Sequence, residues 1–146
     1  MSTGNWVLPD TDDPVDGPFW QAAREKRLVV QHCAACVASY YPPRVHCPRC
    51  HGALAWNEVA GTGRVWSYVT VHPPLLPAYQ PYAPYQMVLV ELDDHPGLRL
   101  VGNLLQEDEG AINDTVHQPL SVGDPVRVAF RTVAEDVVLP CWIKAG

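Results

Sequence analysis

The chain has 146 residues, of which 47% are hydrophobic, and its formal net charge at pH 7 is −6. This length fits one ordinary domain or two very small ones, and the acidic balance disfavours nonspecific binding to nucleic acids. No apolar run reaches the ~18 residues of a membrane span and no signal peptide opens the chain, so we expect a cytoplasmic protein with no membrane partner.

Residues 1–27 predict an acidic, extended segment followed by a helix at residues 16–27. Asp16 can cap this helix, Pro18 suits its first turn, and the interior residues are good helix formers. Phe19 and Trp20 fall near one face. They either pack on the rest of the chain or dock on a partner subunit, because a helix this short must bury its apolar stripe somewhere.

Residues 28–53 predict a small metal-binding ribbon that follows a short strand. Two Cys-x-x-Cys pairs, Cys33 with Cys36 and Cys47 with Cys50, are separated by ten residues. Four thiolates at this spacing favour structural Zn²⁺, and such a closed site leaves no position for chemistry. The spacing alone leaves iron open as the metal. Paired disulfides or a redox motif fit less well, since neither an export signal nor a βαβ pattern is evident.

Two histidines and a valine lie next to the predicted metal ligands in the sequence. Val37 and His51 follow the second cysteine of each pair, where Gly is common because a positive φ is comfortable there. His46 and His51 could replace a thiolate as ligands. Because four thiolates already close the coordination shell, we expect both histidines to face solvent.

Residues 54–146 predict a small barrel of five or six antiparallel strands, because hydrophobic residues alternate and turn residues separate the segments. The predicted strands are residues 54–59, 64–72, 85–92, 98–105, 126–133 and 137–143. A Pro-rich segment at residues 72–84 cannot enter a sheet interior because proline lacks the N–H donor. It is either a rigid connector or a preordered wall for a ligand or partner, and its apolar candidates for partner binding are Leu75, Leu76 and Tyr79.

The order of these parts resembles a known family. The resemblance rests on Phe19-Trp20 in a helix, the four cysteines with Pro42-Pro43 between them, the Gly61-Thr-Gly-Arg-Val-Trp-Ser-Tyr68 strand, the Ala-Pro-Tyr85 junction and the late Val-Gly-Asp-Pro-Val126. Together they look like the acyl-CoA-associated proteins in which a rubredoxin-like zinc ribbon precedes an OB-fold. The match runs over residues 16–143.

The resemblance implies a non-catalytic accessory subunit of a thiolase-like enzyme or of a lipid-transfer-protein-like aldolase that shortens steroid or lipid side chains. Such a subunit stabilises the enzyme in a hetero-oligomer and helps to hold acyl-CoA at a shared site. Candidate ligand residues on the barrel are Trp66, Tyr68, His72, Tyr85 and Asn103, although the aromatic residues could equally be core. Phe19 and Trp20 are candidates for partner contact.

Two other functions stay open at this point. Zinc ribbons and OB-folds also occur in nucleic-acid-binding modules, but the predicted barrel segment carries a negative charge where a strand-tracking groove should be positive. A stand-alone enzyme or small-molecule carrier is the other alternative. A barrel of ~90 residues leaves little room for a buried acyl-CoA, and no catalytic motif is recognisable in the sequence.

Overall fold

The computed structural model describes residues 6–145, which form one α-helix and eight β-strands. The helix α1 spans Gly17–Arg24, and the strands are β1 (Val29–Cys33), β2 (Ala38–Tyr40), β3 (Ala55–Glu58), β4 (Thr62–Val71), β5 (Tyr85–Leu92), β6 (Arg99–Leu105), β7 (Pro125–Ala134) and β8 (Val137–Lys144). The predicted mainly β fold with one N-terminal helix, a ribbon and a small barrel is therefore confirmed. Residues 1–5 of the predicted acidic segment and residue 146 lie outside the described residues.

Asp13, rather than Asp16, organises the start of α1. The Asp13 carboxylate accepts hydrogen bonds from the backbone N–H groups of Asp16 and Val15, at 2.9 and 2.8 Å, and these bonds hold the pKa of Asp13 below its usual range. The Asp16 side chain makes no capping hydrogen bond, so the prediction that it caps the helix is wrong. Pro18 lies in the first turn, as predicted.

The helix ends three residues earlier than predicted and buries one face. Lys26 has a φ of 62°, a left-handed conformation that no helix can continue through. Phe19, Ala22 and Ala23 are buried against the ribbon and the barrel, whereas Trp20 is only partly buried. Packing of this face, rather than helix propensity, holds an eight-residue helix in place.

The ribbon is a three-stranded antiparallel sheet in the order β2-β1-β3. The strand predicted at residues 54–59 is present as β3, and it pairs with β1 rather than with a barrel strand. The buried Gln31 of β1 fixes the loop that follows β2. Its side-chain oxygen accepts from the Arg44 N–H at 2.6 Å, and its amide donates to the Arg44 carbonyl at 2.8 Å. These two bonds fasten the loop to the central strand of the ribbon sheet.

The five remaining strands close a barrel in the order β4-β5-β6-β8-β7, with β7 returning to β4. All pairs are antiparallel except β6 with β8, which pair in parallel at Leu104–Trp142 and Leu105–Ile143. The prediction of a wholly antiparallel barrel is therefore corrected at this one pair. The long connection between β6 and β7 makes it possible, because parallel neighbours need a crossover rather than a hairpin.

A bulge at Trp66 changes which residues of β4 face the core. The pairing with β5 skips one residue between Val65 and Ser67. Val65 before the bulge is buried, whereas Val69 after it is 54% exposed. Val65 and Val69 lie an even number of residues apart and would share a face in a regular strand, but the extra residue at the bulge re-aims the side chains that follow it.

Two larger clusters of buried side chains form the core. The first joins α1, the ribbon and the barrel around the fully buried Trp142. The second lies at the other end of the barrel, where the buried Trp6 packs on Tyr79 and Tyr82 of the Pro-rich segment at centroid distances of 5.2 and 5.5 Å. Within residues 6–145, no helix combines the length and the apolar character that a membrane crossing requires.

Candidate metal centre and ligand groove

The four predicted metal ligands converge at the end of the ribbon sheet. The sulfur atoms of Cys33, Cys36, Cys47 and Cys50 all lie within 4.8 Å of one another. The distance between the sulfurs of Cys33 and Cys50 is 3.6 Å, and that between Cys36 and Cys47 is 3.8 Å. Four sulfurs bound tetrahedrally at ~2.3 Å lie about 3.8 Å apart, so the cluster has the dimensions of a tetrahedral metal site.

The residue after each Cys-x-x-Cys pair has the backbone geometry that usually favours glycine. Val37 and His51 have φ values of 50° and 61°, and both side chains are exposed. Backbone N–H groups point at two of the sulfurs, from Cys36 to Cys33 and from Gly52 to Cys50, each at 3.4 Å. His46 is also exposed, and neither histidine joins the sulfur cluster, in agreement with the prediction that both face solvent.

Tyr40 favours the thiolate form of one ligand. Its hydroxyl lies 3.5 Å from the Cys47 sulfur and, as the largest cause, lowers the pKa of Cys47 to about 5, while the same contact raises the pKa of Tyr40 to about 12. The hydrogen bond to Cys50 is the largest cause that raises the pKa of Cys36, to about 12. Cys47 therefore favours the thiolate form that binds metal, and the other cysteine thiols lose their protons as the metal binds.

An apolar groove of about 160 Å³ lies between α1, the ribbon and the barrel. Trp20 forms one wall together with Tyr41, and residues of β5, β6 and β8, among them Met87 and Asn103, form the other. The predicted ligand residue Asn103 and the predicted partner residue Trp20 therefore line the same groove. The Asn103 amide lies 2.9 Å from the Met87 sulfur, which orients it at the groove. Phe19 is only 4% exposed and supports Trp20 from the core side.

A second, shallower hollow of about 140 Å³ lies on the outer face of the barrel beside the groove. Met87 and Val101 line both hollows, which makes the two surfaces continuous. The predicted ligand residue Tyr68 lines the second hollow. Trp66 lies exposed on the same strand, with the Arg99 guanidinium 3.7 Å from its ring centroid.

The other predicted residues lie elsewhere. Tyr85 is buried in the second core cluster, where burial raises its pKa. His72 is exposed at the end of β4. Leu75 and Tyr79 pack partly against the second cluster, whereas Leu76 is exposed.

Sequence reasoning missed some groove residues, among them Tyr41, Met87 and Leu139. The burial pattern of β5 places Met87 outward, but the apolar run Met87-Val-Leu-Val90 carries no alternation that could have shown this from the sequence. No local sequence pattern indicates that Tyr41 and Leu139 line the same groove. The fifth cysteine, Cys141, is buried in the core, and desolvation raises its pKa to about 12, as expected for an unreactive structural thiol.

Comparison with known proteins places this architecture in a family. The family model described as the ChsH2 rubredoxin-like zinc ribbon domain matches residues 20–55, and the model described as the ChsH2 C-terminal OB-fold domain matches residues 56–131. The four close cysteines within the matched ribbon fit a structural zinc site.

Three relatives illustrate the range of the family. A protein of Thermomonospora curvata named probable enoyl-CoA hydratase alpha subunit is 40% identical over 89% of this chain, which spans only 38% of that relative's length. A DUF35 domain-containing scaffold protein of Methanocaldococcus jannaschii is 28% identical over 80% of this chain and 77% of its own. A solved chain described as "Ltp2-ChsH2(DUF35) aldolase" is 32% identical, with a TM-score of 0.77 over 94% of this chain and all of that one.

A DUF35 protein of unknown function from Sulfolobus solfataricus shares the fold alone. Its TM-score is 0.58 at 12% identity, over 93% of this chain and 89% of that one. The two adjoining family models and the solved aldolase chain, which is covered over its whole length, together decide the assignment. The chain belongs to the ChsH2 family, in which a rubredoxin-like zinc ribbon precedes an OB-fold domain.

Proposed function

We propose that the chain is the non-catalytic accessory subunit of a cytoplasmic, thiolase-fold enzyme that processes acyl-CoA. The partner is a thiolase or a retro-aldolase of steroid or lipid side-chain degradation, and the subunit stabilises it and helps to hold the acyl-CoA. The observation that carries the proposal is the size of the groove. Its volume of about 160 Å³ is below the ~300–1,000 Å³ typical of a complete ligand site, which supports a site that a partner surface completes.

The walls of the groove suit the uncharged part of a thioester ligand. Trp20, Tyr41, Leu100 and Leu139 supply apolar contact, and the amide of Asn103 supplies a hydrogen-bonding group. A few polar groups among apolar walls are typical of sites that orient a mostly apolar ligand. The groove therefore supports a role in holding an acyl or pantetheine segment at a boundary between subunits.

The names of the relatives support an accessory role. The DUF35 scaffold proteins carry a name without an activity, and the solved aldolase is named for two components, Ltp2 and ChsH2. The hydratase name belongs to a protein of which this chain spans 38%, so that activity does not transfer with the similarity.

The alternative of a nucleic-acid-binding module gains no support from the barrel surface. OB-folds bind nucleic acids on the face of their second and third strands, which here are β5 and β6. That face presents Met87, Leu89 and Val101, and its one arginine, Arg99, lies 3.5 Å from the carboxylate of Glu91. Binding along a phosphate backbone needs positive charge, which an apolar face with a neutralised arginine does not provide.

The test is reconstitution with the Ltp2 subunit of the solved aldolase. Calorimetry should show acyl-CoA binding to the mixture that is tighter than binding to either protein alone. Trp20→Ala should weaken subunit association more than it lowers the melting temperature, and Trp56→Ala, on the ribbon sheet outside the groove, is the matched control. Turnover of acyl-CoA by this chain alone would refute the accessory role.

A further inference from the structure

The strands β6 and β8 stop pairing at the floor of the groove. Within residues 6–145 they pair only at Leu104–Trp142 and Leu105–Ile143. Earlier in each strand, Val101 and Pro140 line the groove instead. Proline has no backbone N–H, so Pro140 cannot donate a ladder hydrogen bond to β6. The floor of the groove is therefore a gap in the hydrogen bonding of the barrel.

The backbone of Val101 faces this gap. The Asn103 N–H donates to the sulfur of Cys141, which is a residue of β8. The Pro140 carbonyl oxygen lies 3.0 Å from the point where a side chain on Gly102 would begin, so this carbonyl is directed at β6. Backbone groups of alternate residues in a strand point to the same side. The N–H and C=O of Val101 therefore point toward β8, as those of Asn103 do.

Polar groups at this floor lack the partners that a continued ladder would supply. The residue of β8 that would donate to the Val101 carbonyl is Pro140, which has no donor. No pair of β6 with β8 includes the Pro140 carbonyl within the described residues. The indole N–H of the buried Trp142, which also lines the groove, has no protein partner there either. Unpaired backbone groups in an apolar setting cost free energy, so a ligand that donates an N–H to the Val101 carbonyl is favoured.

The need for a donor distinguishes the two parts of an acyl-CoA. The pantetheine arm contains two secondary amides, each with an N–H and a C=O. The thioester and a hydrocarbon acyl chain contain no N–H. An amide in the gap can donate to the Val101 carbonyl, while its own carbonyl faces the side-chain amide of Asn103, which lines the same groove. The groove therefore suits the pantetheine arm better than the acyl chain.

We propose that the gap between β6 and β8 binds one secondary amide of the pantetheine arm, whose N–H donates to the Val101 carbonyl where a strand partner is missing. The inference rests on the proposed function and deepens it, because it assigns the groove to the pantetheine arm of the acyl-CoA. Pro140 is then the residue that keeps the site open, since any other residue at this position would offer its own N–H to Val101.

The experiment compares acetyl-CoA with two analogues in which an ester oxygen replaces the N–H of one pantetheine amide or the other. Calorimetry measures the affinity of each compound for complexes of Ltp2 with the wild-type chain and with variants. Pro140→Ala restores an N–H opposite Val101, and Pro140→Val does the same with a residue that favours strands. Pro125→Ala, at the exposed first residue of β7, is the matched control. The melting temperature and the affinity for Ltp2 are recorded for every variant.

One analogue should bind the wild-type and Pro125→Ala complexes about three- to tenfold more weakly than acetyl-CoA, as expected for the loss of one hydrogen bond. In the Pro140 variants this ratio should fall to about one, because the Val101 carbonyl already has a donor. The ¹³C resonance of the Val101 carbonyl in the wild-type complex should shift with acetyl-CoA and not with the weaker analogue, a readout that needs no variant.

Two results would overturn the amide site and leave the proposed function standing. One is equal affinity of the wild-type complex for acetyl-CoA and both analogues. The other is a ratio that persists in the Pro140 variants, or a Val101 resonance that acetyl-CoA does not shift. If acetyl-CoA binds the complex no more tightly than it binds Ltp2 alone, the proposed function fails and this inference falls with it.

Discussion

Replacing Val37 with glycine should make the free chain more stable. A left-handed conformation of this kind costs about 2 kcal/mol, and a β-branched side chain adds to the crowding. Glycine loses about 0.5–1 kcal/mol through the greater freedom of the unfolded chain. Since Val37 is 79% exposed, the lost packing is about 0.3–0.6 kcal/mol, scaled from a fully buried valine. The expected net gain is about 0.5–1 kcal/mol.

The assay is thermal unfolding at a fixed concentration of free zinc, because bound metal shifts the apparent stability. A gain of this size should raise the melting temperature by roughly 2–4 °C in a chain of this length. Asp136→Gly is the matched control, since Asp136 has a φ of 60° in the β7–β8 hairpin and aspartate tolerates this region. If Val37→Gly melts lower than the wild-type chain, or gains no more than the control, the strain argument is wrong.

Three further predictions concern the ribbon and its attachment to the barrel. Cys47→Ser or chelation should release the metal and abolish hydrogen-exchange protection in β1 and β2, and persistent protection would show that the metal is not structural. Gln31→Ala should cost about 1–3 kcal/mol in denaturant unfolding, because it removes both side-chain bonds to Arg44, whereas the exposed Gln21→Ala should be nearly neutral. Glu109→Gln should be less stable than the wild type at pH 7 by about 0.5–1 kcal/mol, and the two chains should converge as the pH falls below 4.5.

The sign of the Glu109 prediction follows from its contacts. Burial acts to raise the pKa of this carboxyl, but hydrogen bonds from Lys26 at 2.8 Å and from the backbone and hydroxyl of Thr132 at 2.7 and 2.9 Å outweigh it and lower the pKa. A lowered pKa contributes stability above the carboxyl's unfolded pKa, and that contribution is lost as the pH falls through the folded value. A constant difference between the two chains at all pH values would show that the charge of Glu109 is not involved.

Local chemistry explains what could be predicted from the sequence. The cysteine spacing predicts the metal cluster because each Cys-x-x-Cys pair closes its own turn. The strand at Tyr85–Leu92 has its predicted bounds because a mostly apolar run lies between the Pro-rich segment and the turn residues that begin at Asp93. Alternation of hydrophobic residues did not predict burial in β4, where the bulge at Trp66 depends on pairing with β5 rather than on the residues of β4 itself.

Pairings between distant segments explain what could not be predicted. Residues 54–59 have the pattern of a strand, but nothing local assigns it to the ribbon rather than to the barrel. Trp20 and Asn103 lie far apart in the chain, and they line one groove because α1 packs beside the barrel. Tyr85 is an aromatic residue of the kind found in ligand sites, yet its position in β5 directs its side chain into the core.

The hydrogen bonds of Gln31 link the strand that leads into the metal site to the loop that forms a wall of the groove. Arg44, which Gln31 holds, belongs to the same loop as Tyr41, and Tyr41 forms a wall of the groove. A chain that has not yet acquired zinc would lack an ordered ribbon and with it that wall, so it could offer a partner only half of a binding surface. Binding to the partner would then require that the chain has first bound its metal. The fraction of chain that binds Ltp2 should rise with the fraction that carries zinc. Binding of Ltp2 by the metal-free chain would show that metal is not required.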